Sequence, residues 1–336
     1  MAALVAIHST RLGPAAGGCR RWHYVDDESA LADALRLSRG MTYKNAMAEL
    51  PFGGGKAILV ASAPTKTAEE FRAFGRLVNT LDGRYITAED VGVTAEDMRQ
   101  VREATPYVSG LPGSGDSGGD PSPWTALGVF LCIERAVRER RGSNGLRGAR
   151  VGIQGLGSVG NRLAGLLHEA GARLTVSDLN AQRVAEAVQA FGADAAPVEA
   201  IHAMSMDVFA PCALGGVLNA AAIGELRATI VAGAANNQLA DPEDAQRLHR
   251  RNILFLPDYV INAGGIIAVA REYRGEFRKD GVTREVHAIA DRLTGILRQA
   301  RLERLPPTRV ADRMVEKMLQ KQRTGSLAES TVPCTT

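Results

Sequence analysis

Apolar residues recur along this chain in two rhythms, and the change from one to the other marks its elements. Over 67–82, Phe71, Phe74, Leu77, Val78 and Leu81 fall on one helical face, and Thr67 with Glu70 makes a capping-box pattern at its start. A weaker helix is expected over 29–39 with Leu31, Ala34, Leu35 and Leu37 inward. Another should run from a Thr94 cap to about residue 104, with Asp97 in its first turn. Short apolar runs at 3–8 and 57–61 read as strands. From residue 149 the two rhythms alternate. Strands are expected at 149–154, 173–178, 206–210, 229–233 and 253–256, and helices at 158–170, 180–191, 242–250 and 259–274. That alternation predicts a parallel, doubly wound sheet. Two amphipathic helices follow, over 283–303 and 308–322, separated by Pro306-Pro307.

Between the two halves, Ser109–Pro123 is dense in glycine and proline and cannot be regular structure. It reads as a domain junction or an active-site loop. Ser122-Pro123 then opens a helix to 141, with serine as N-cap and proline at the first helical position. The expected organisation is an α/β chain of two domains, 1–123 and 124–303, with helices at 304–325 packing back on the first. The tail 326–336 lacks periodicity and is expected to be disordered.

Composition narrows the function classes. The 336 residues suit about two domains at roughly 100–200 residues each. A net charge of +3 without a long basic block argues against nucleic acid, and Arg-Glu-Arg-Arg (138–141) reads as a solvated helix end. No apolar run approaches the ~20 residues that span a membrane, and no signal peptide is apparent. Four cysteines without a Cys-x-x-Cys pair point to the reducing cytoplasm. The histidines lack metal spacing, so no metal is expected.

The strongest chemical signal is Gly155-Leu-Gly157-Ser-Val-Gly160, which follows a short strand and opens a helix. The first glycine makes the turn, the second lets backbone approach a pyrophosphate, and the third lets helix pack on strand. The helix N-terminus attracts the phosphates. Asp178 ends the next strand, placed to accept hydrogen bonds from the adenosine ribose and to repel a 2′-phosphate, which favours NAD over NADP. The other phosphate motif fails: a Walker loop ending at Gly55-Lys56 needs glycine at position 50 and Ser or Thr at 57, where Leu50 and Ala57 stand. Lys44 and Lys56 close the runs Arg-Gly-Met-Thr-Tyr-Lys (39–44) and Phe-Gly-Gly-Gly-Lys (52–56), and Asp90 follows in Ala-Glu-Asp-Val-Gly (88–92). Two lysines on glycine-rich turns, with one carboxylate, can hold a small carboxylic acid and move protons beside it.

These stretches resemble the Glu/Leu/Phe/Val amino-acid dehydrogenase family, particularly its leucine, valine and phenylalanine branch. Further matching runs are Leu-Gly-Pro-Ala-Ala-Gly-Gly-Cys-Arg (12–20), Ala-Leu-Arg-Leu-Ser-Arg-Gly-Met-Thr-Tyr-Lys-Asn-Ala (34–46), Gly-Arg-Tyr-Ile-Thr-Ala-Glu-Asp-Val-Gly (83–92), Pro-Ser-Pro-Trp-Thr-Ala (121–126), Gly-Ala-Ala-Asn-Asn-Gln-Leu (233–239) and Asp-Tyr-Val-Ile-Asn-Ala-Gly-Gly (258–265). The resemblance implies an N-terminal α/β domain for substrate and oligomerisation, a Rossmann-type NAD-binding domain, and an active site in the cleft between them. It implies reversible oxidative deamination of an L-amino acid to its 2-oxo acid and ammonia, with NAD as hydride acceptor. By position, Lys44 corresponds to the lysine that holds the substrate carboxylate and Asn237 to the asparagine that assists it. Lys56 and Asp90 correspond to the catalytic lysine and aspartate, and Gly17 and Gly18 to backbone lying against the substrate. Thr125 and Asn262 match residues near the nicotinamide. Ser158, Val159, Leu179, Cys212, Ala213, Ala235 and Asn236 are expected to complete the dinucleotide site.

The side-chain pocket is expected at Ala16, Ala88, Ile266 and Val269. All four are apolar, so a glutamate γ-carboxylate would lie there unpaired, and a branched-chain or aromatic substrate is expected. The family carries a further N-terminal segment, and this sequence begins almost at the strand over 3–8. At least a homodimer is expected. Two other readings stay open on sequence alone: a 2-hydroxy-acid dehydrogenase, and an NAD-binding paralogue without turnover.

Overall fold

The first unit grows from segments that strand propensity alone passes over. The computed structural model describes residues 2–61, 64–111, 119–142 and 145–328, with side chains as far as 321. In it, β1 (Ala2–Ser9), β2 (Ala15–Trp22), β3 (Gly53–Val60) and β4 (Tyr85–Glu89) form one sheet in the order β1-β3-β2-β4. β1 runs antiparallel to β3, whereas β2 is parallel to both β3 and β4. Glycines fill β3 because its neighbours come too close for side chains. A Cβ on Gly54 would lie 2.1 Å from the Thr42 nitrogen, and one on Gly53 would lie 1.9 Å from the Ser9 oxygen.

Helix α1 (Asp27–Met47) covers one face of this sheet. Asp26 caps it by accepting from the Ser29 N–H at 2.7 Å. It runs well past the expected end at 39. Gly40 costs a helix interior about 1 kcal/mol, and burial of Thr42, Tyr43, Ala46 and Met47 outweighs that. Ala30, Ala34, Leu37 and Ile58 form the core beneath it. Leu31 and Leu35, expected inward, are 48% and 56% exposed. The small residues Ala30 and Ala34 set the inner face instead.

On the opposite face lie α2 (Ala68–Asn79) and α3 (Ala95–Arg102). Phe71, Phe74, Val78, Met98 and Val101 pack there with Cys19, Ala57, Leu59 and Tyr85. β3 thus sends Ala57 and Leu59 to one core and Ile58 to the other, as strand alternation requires. Thr67 caps α2, and Thr94 with Asp97 makes a reciprocal capping box on α3. Leu77, expected inward, is 37% exposed.

The second unit follows the alternation. Helix α4 (Ser122–Arg141) leads into β5 (Arg150–Gln154), α5 (Ser158–Glu169), β6 (Arg173–Ser177), α6 (Ala181–Phe191) and β7 (Asp194–Ala195). Then come β8 (Val208–Pro211), α7 (Ala220–Glu225), β9 (Ile230–Val231), α8 (Asp244–Arg250) and β10 (Leu254–Phe255). The sheet is parallel, in the order β10-β9-β8-β5-β6-β7. Its direction of winding reverses between β5 and β8, the switch point where such sheets bind ligands. Ser122 is not the cap of α4. Pro121 holds that position, and Asp120 Oδ1 accepts from the Ser122 N–H at 2.9 Å. The single helix expected over 259–274 breaks at Asn262 into α9 (Asp258–Ile261) and α10 (Gly264–Tyr273). Helices α11 (Lys279–Glu303) and α12 (Pro307–Ala328) close the chain.

The first unit comprises Met1–Gly119, Val269–Arg278 and Arg313–Thr336, and the second Asp120–Ala268 and Lys279–Asp312. Residues 269–278, read from the sequence with the second domain, therefore belong to the first. Residues 304–312 stay with the second. Part of the loop expected at 109–123 falls outside the described residues. The tail expected from 326 lies in α12 as far as Ala328, and 329–336, with Cys334, is outside the described residues.

Candidate active site

Neither lysine sits on a glycine-rich turn. Lys44 lies half-buried in the last turn of α1, and Lys56 is 5% exposed in the middle of β3. Each is two residues from the closest approach of the two elements, where Thr42 meets Gly54. Asp90 follows β4, and its Oδ2 pairs with the Lys56 ammonium. The same oxygen lies 3.5 Å from Arg20 Nε on β2. Burial alone would push the Asp90 pKa up. The Lys56 charge and hydrogen bond, with Arg20 behind them, outweigh burial and hold it below the ordinary carboxylate value.

The glycines at 17 and 18 make this approach possible. Gly18 pairs with Ala88, and a Cβ on it would lie 2.8 Å from the Asp90 Cβ. A Cβ on Gly17 would lie 1.8 Å from the Gly55 oxygen. The Tyr85 hydroxyl donates to the Gly17 carbonyl at 2.6 Å, and Asn45 Nδ2 donates to the Gly53 carbonyl at 2.6 Å. Ala16 is buried between β3 and β4 in register with Gly54 and Ile86, while Ala88 and Val269 are half-buried. Sequence reading named Lys56, Asp90, Gly17 and Gly18 but passed over Arg20, Asn45 and Tyr85. These three sit inside the matching runs, with no local pattern to separate them from their neighbours.

In the second unit the three fingerprint glycines do three different things. Gly155 turns the chain at φ +101°, and a Cβ on it would lie 2.8 Å from Ala213. A Cβ on Gly160 would lie 1.9 Å from the Gly155 oxygen, whereas one on Gly157 would meet nothing within 4 Å. Helix α5 starts at the exposed Ser158 and half-buried Val159 with no side-chain cap, leaving its first N–H groups for an anion. Asp178 braces the turn: Oδ2 accepts from the Leu156 N–H at 2.6 Å, and Oδ1 from the Asn180 N–H at 2.8 Å. Each carboxylate oxygen keeps a further lone pair. Leu179 beside it is 92% exposed.

Around the turn, the Cys212 N–H donates to the Gln154 carbonyl at 2.7 Å, and burial pushes the Cys212 thiol up to about 12. Ala213 is exposed, and buried Ala235 donates through its N–H to the Pro211 carbonyl at 3.0 Å. Asn262 Nδ2 donates to Asn236 Oδ1 at 2.9 Å and to the Ala234 carbonyl at 3.1 Å. Asn262 Oδ1 is buried with no hydrogen-bond partner among the described residues. It is an acceptor suited to a carboxamide NH₂. Thr125 Oγ1 lies 2.5 Å from where a Cβ on Gly265 would stand. Ile266 is half-buried in the first turn of α10, and Asn237 holds a left-handed φ of +52°, which asparagine tolerates. The space at Gly157, the uncapped α5 and the unpaired amide oxygen fit a dinucleotide with its phosphates at the turn.

Among the described residues no group of three or more His, Cys, Asp or Glu side chains could hold a metal ion. No described helix is long and apolar enough to cross a membrane.

A Rossmann-ordered sheet with this turn at its switch point, in one chain with an α/β unit that holds a largely buried lysine–aspartate pair, defines a pyridine-nucleotide-dependent dehydrogenase. Comparison with known proteins narrows the class. Residues 1–107 match the Glu/Leu/Phe/Val dehydrogenase dimerisation domain, and residues 120–187 and 179–303 match the glutamate/leucine/phenylalanine/valine dehydrogenase domain. Leucine dehydrogenase of Geobacillus stearothermophilus is 46% identical over 323 residues, 96% of this chain and 88% of that one. Phenylalanine dehydrogenase of Thermoactinomyces intermedius is 40% identical over 95% of this chain and 88% of its own. The crystal structure of L-tryptophan dehydrogenase from Nostoc punctiforme superposes with a TM-score of 0.83 at 44% identity, covering 96% of this chain and 92% of that one. The chain belongs to the Glu/Leu/Phe/Val dehydrogenase family and is an amino-acid dehydrogenase, an oxidoreductase acting on CH–NH₂ groups.

Proposed function

We propose that this enzyme carries out reversible, NAD-linked oxidative deamination of an apolar L-amino acid to its 2-oxo acid and ammonia, in the cytoplasm. The observation that carries the side-chain class is the chemistry of Ala16, Ala88, Ile266 and Val269. None can pair a γ-carboxylate, and leaving one buried and unpaired costs several kcal/mol. The relatives named for leucine, phenylalanine and tryptophan agree with that reading.

The substrate α-carboxylate is held by the Lys44 ammonium and the Asn237 amide, a charge-assisted pairing. Asp90 takes a proton from the substrate ammonium, which frees the nitrogen lone pair. A nicotinamide held at this site would supply the acceptor for the hydride that leaves the substrate Cα. Asp90 passes that first proton to solvent. Water held at Lys56 adds to the substrate carbon, Asp90 takes the proton the water loses, and the Lys56 ammonium stabilises the oxygen of the carbinolamine. Asp90 then gives this second proton to the departing amine, and the carbinolamine hydroxyl proton leaves with the ammonia as ammonium when the carbonyl forms. The Gly155–Gly160 turn and Asn262 hold the dinucleotide, and Asp178 disfavours a 2′-phosphate and so selects NAD. We also assign a homodimer or larger homo-oligomer. The first unit matches a dimerisation domain and exposes Trp22, Val25, Leu31 and Leu35.

The test is NADH oxidation with ammonium and a panel of 2-oxo acids: 4-methyl-2-oxopentanoate, 3-methyl-2-oxobutanoate, phenylpyruvate, indolepyruvate and 2-oxoglutarate. Ammonium-dependent turnover of one or more apolar acids, with 2-oxoglutarate at least a hundredfold slower at the ~3 kcal/mol of an unpaired carboxylate, is expected. Preferred turnover of 2-oxoglutarate would sink the reading.

A further inference from the structure

Lys56 has two demands on one ammonium. It is paired with Asp90 Oδ2, and the proposed chemistry also needs it at the substrate oxygen. When it turns to the substrate, Asp90 is left largely buried without its nearest cation, which is costly for a carboxylate that must stay charged.

One other cation is already in place. Arg20 Nε lies 3.5 Å from the same Asp90 oxygen. That distance is too long for a hydrogen bond, and Nε is a buried donor with no hydrogen-bond partner among the described residues. The rest of the guanidinium is fixed from the α1 side. Its Nη1 donates to Asp33 Oδ2 at 2.9 Å. Asp33 in turn accepts from the Tyr24 hydroxyl at 2.6 Å and from Arg36 Nη2 at 2.8 Å. So one nitrogen is anchored and another is aimed at Asp90 with its hydrogen bond unmade. Gly18 leaves the space that the Asp90 side chain needs, since a Cβ there would lie 2.8 Å from the Asp90 Cβ.

We propose that Arg20 is a positioning residue, a standing partner that takes over the Asp90 carboxylate each time Lys56 leaves it for the substrate. Asp33 is the anchor that keeps Arg20 there. The inference rests on the catalytic reading of Lys56 and Asp90. Lys56 on β3 and Arg20 on β2 are the charged groups that face Asp90. Cys19 and Tyr85 are also within electrostatic reach, and burial raises both so that they remain neutral.

The experiment compares pH profiles of kcat and kcat/KM for the whole enzyme and for Arg20→Gln, Arg20→Lys, Asp33→Asn and Asp90→Asn. The acid limb of kcat reports the substrate complex and that of kcat/KM the free enzyme. Arg20→Gln should move the acid limb of kcat up by about one pH unit, the size expected for losing a cation at this distance. The limb of kcat/KM should move less, because Lys56 still covers Asp90 in the free enzyme. Arg20→Lys should restore most of the limb, and Asp33→Asn should shift it the same way but less. Asp33→Asn also leaves Arg20 in place should Arg20→Gln fold poorly. A uniform loss of rate with both limbs unmoved would overturn the inference and leave Arg20 a structural residue. Full activity in Asp90→Asn would overturn the reading of Asp90, and this inference with it.

Discussion

Both units contain glycines closed against their neighbours, and the second adds one that is open. In the first, Gly17, Gly18, Gly53, Gly54 and Gly55 are closed positions where an added methyl would strike a neighbour at 1.8–2.8 Å. They exist so that α1, β2 and β4 can crowd around β3 and bring Lys56, Asp90 and Arg20 together below the surface. In the second unit, Gly157 is an open position with nothing within 4 Å. There the missing side chain leaves open space, which the proposed function fills with the dinucleotide. The first unit concentrates charged side chains at its site, whereas the second offers backbone donors at a helix N-terminus. Chemistry that moves protons needs groups that titrate. Dinucleotide binding needs N–H groups held at a fixed spacing. Under the proposed function each unit supplies one of these.

The strongest test of that division is Lys56→Met. Under the proposed mechanism, removing the ammonium that holds the water and steadies the carbinolamine oxygen should lower kcat roughly a thousandfold. NADH affinity, measured by fluorescence titration, should stay within about twofold, the size of a sub-0.5 kcal/mol remote effect. A comparable loss of NADH binding would break the comparison. Next in size is a pair of matched glycine substitutions. Gly54→Ala places a methyl 2.1 Å from the Thr42 nitrogen and should cost about 3 kcal/mol of stability. Gly157→Ala has a permitted φ of −67° and free space, so its thermal midpoint should barely move. Its NADH Kd should rise about tenfold, worth about 1.4 kcal/mol. Equal effects of the two on stability would show that open and closed glycines are not different.

The same contrast decides what could be read from the sequence. In the second unit, apolar strands stop at Gly155, Asp178 and Pro211, so β5, β6 and β8 and the turn after β5 are all legible, as is the pairing of turn and acid. The short β7 and helix α7 carry too few residues to leave a pattern. In the first unit the central strands β2 and β3 read as Ala-Ala-Gly-Gly-Cys-Arg and Gly-Gly-Gly-Lys, against strand propensity. They are strands because they lie between two neighbours each and because α1 needs their bareness. Hence sequence pattern alone puts Lys56 on a turn and ends α1 before the turns that carry Tyr43 and Lys44. Lys56 and Asp90 could still be named by their runs. Arg20 could not, because its approach to Asp90 depends on the register of β2 with β4, and its anchoring on Asp33 of α1.

The smallest expected effect concerns acid. The partly buried carboxylates held below their ordinary value are concentrated in the first unit at Asp33, Asp90 and Asp97; in the second, such lowering among the described residues is found at Asp120. At each of the four, burial pushes the pKa up and is outweighed. At Asp33 the opposing groups are Tyr24, Arg36 and Arg20, and at Asp97 they are Lys66 and the Thr94 cap. Asp120 is lowered by Ser122 and Arg162. Glu272, raised by burial, works the other way, alone among the described carboxylates of the first unit. A carboxylate with a depressed folded pKa gives stability that is complete above its unfolded value, about 3.9 for aspartate, and is lost as pH falls through the folded value. As pH falls below about 4, amide exchange should therefore quicken in β3 before it quickens in β5. Asp90→Asn should make the β3 dependence shallower and leave β5 unchanged. Simultaneous loss of protection in both strands, unaltered by Asp90→Asn, would mean that the buried charges of the first unit do not set its acid stability.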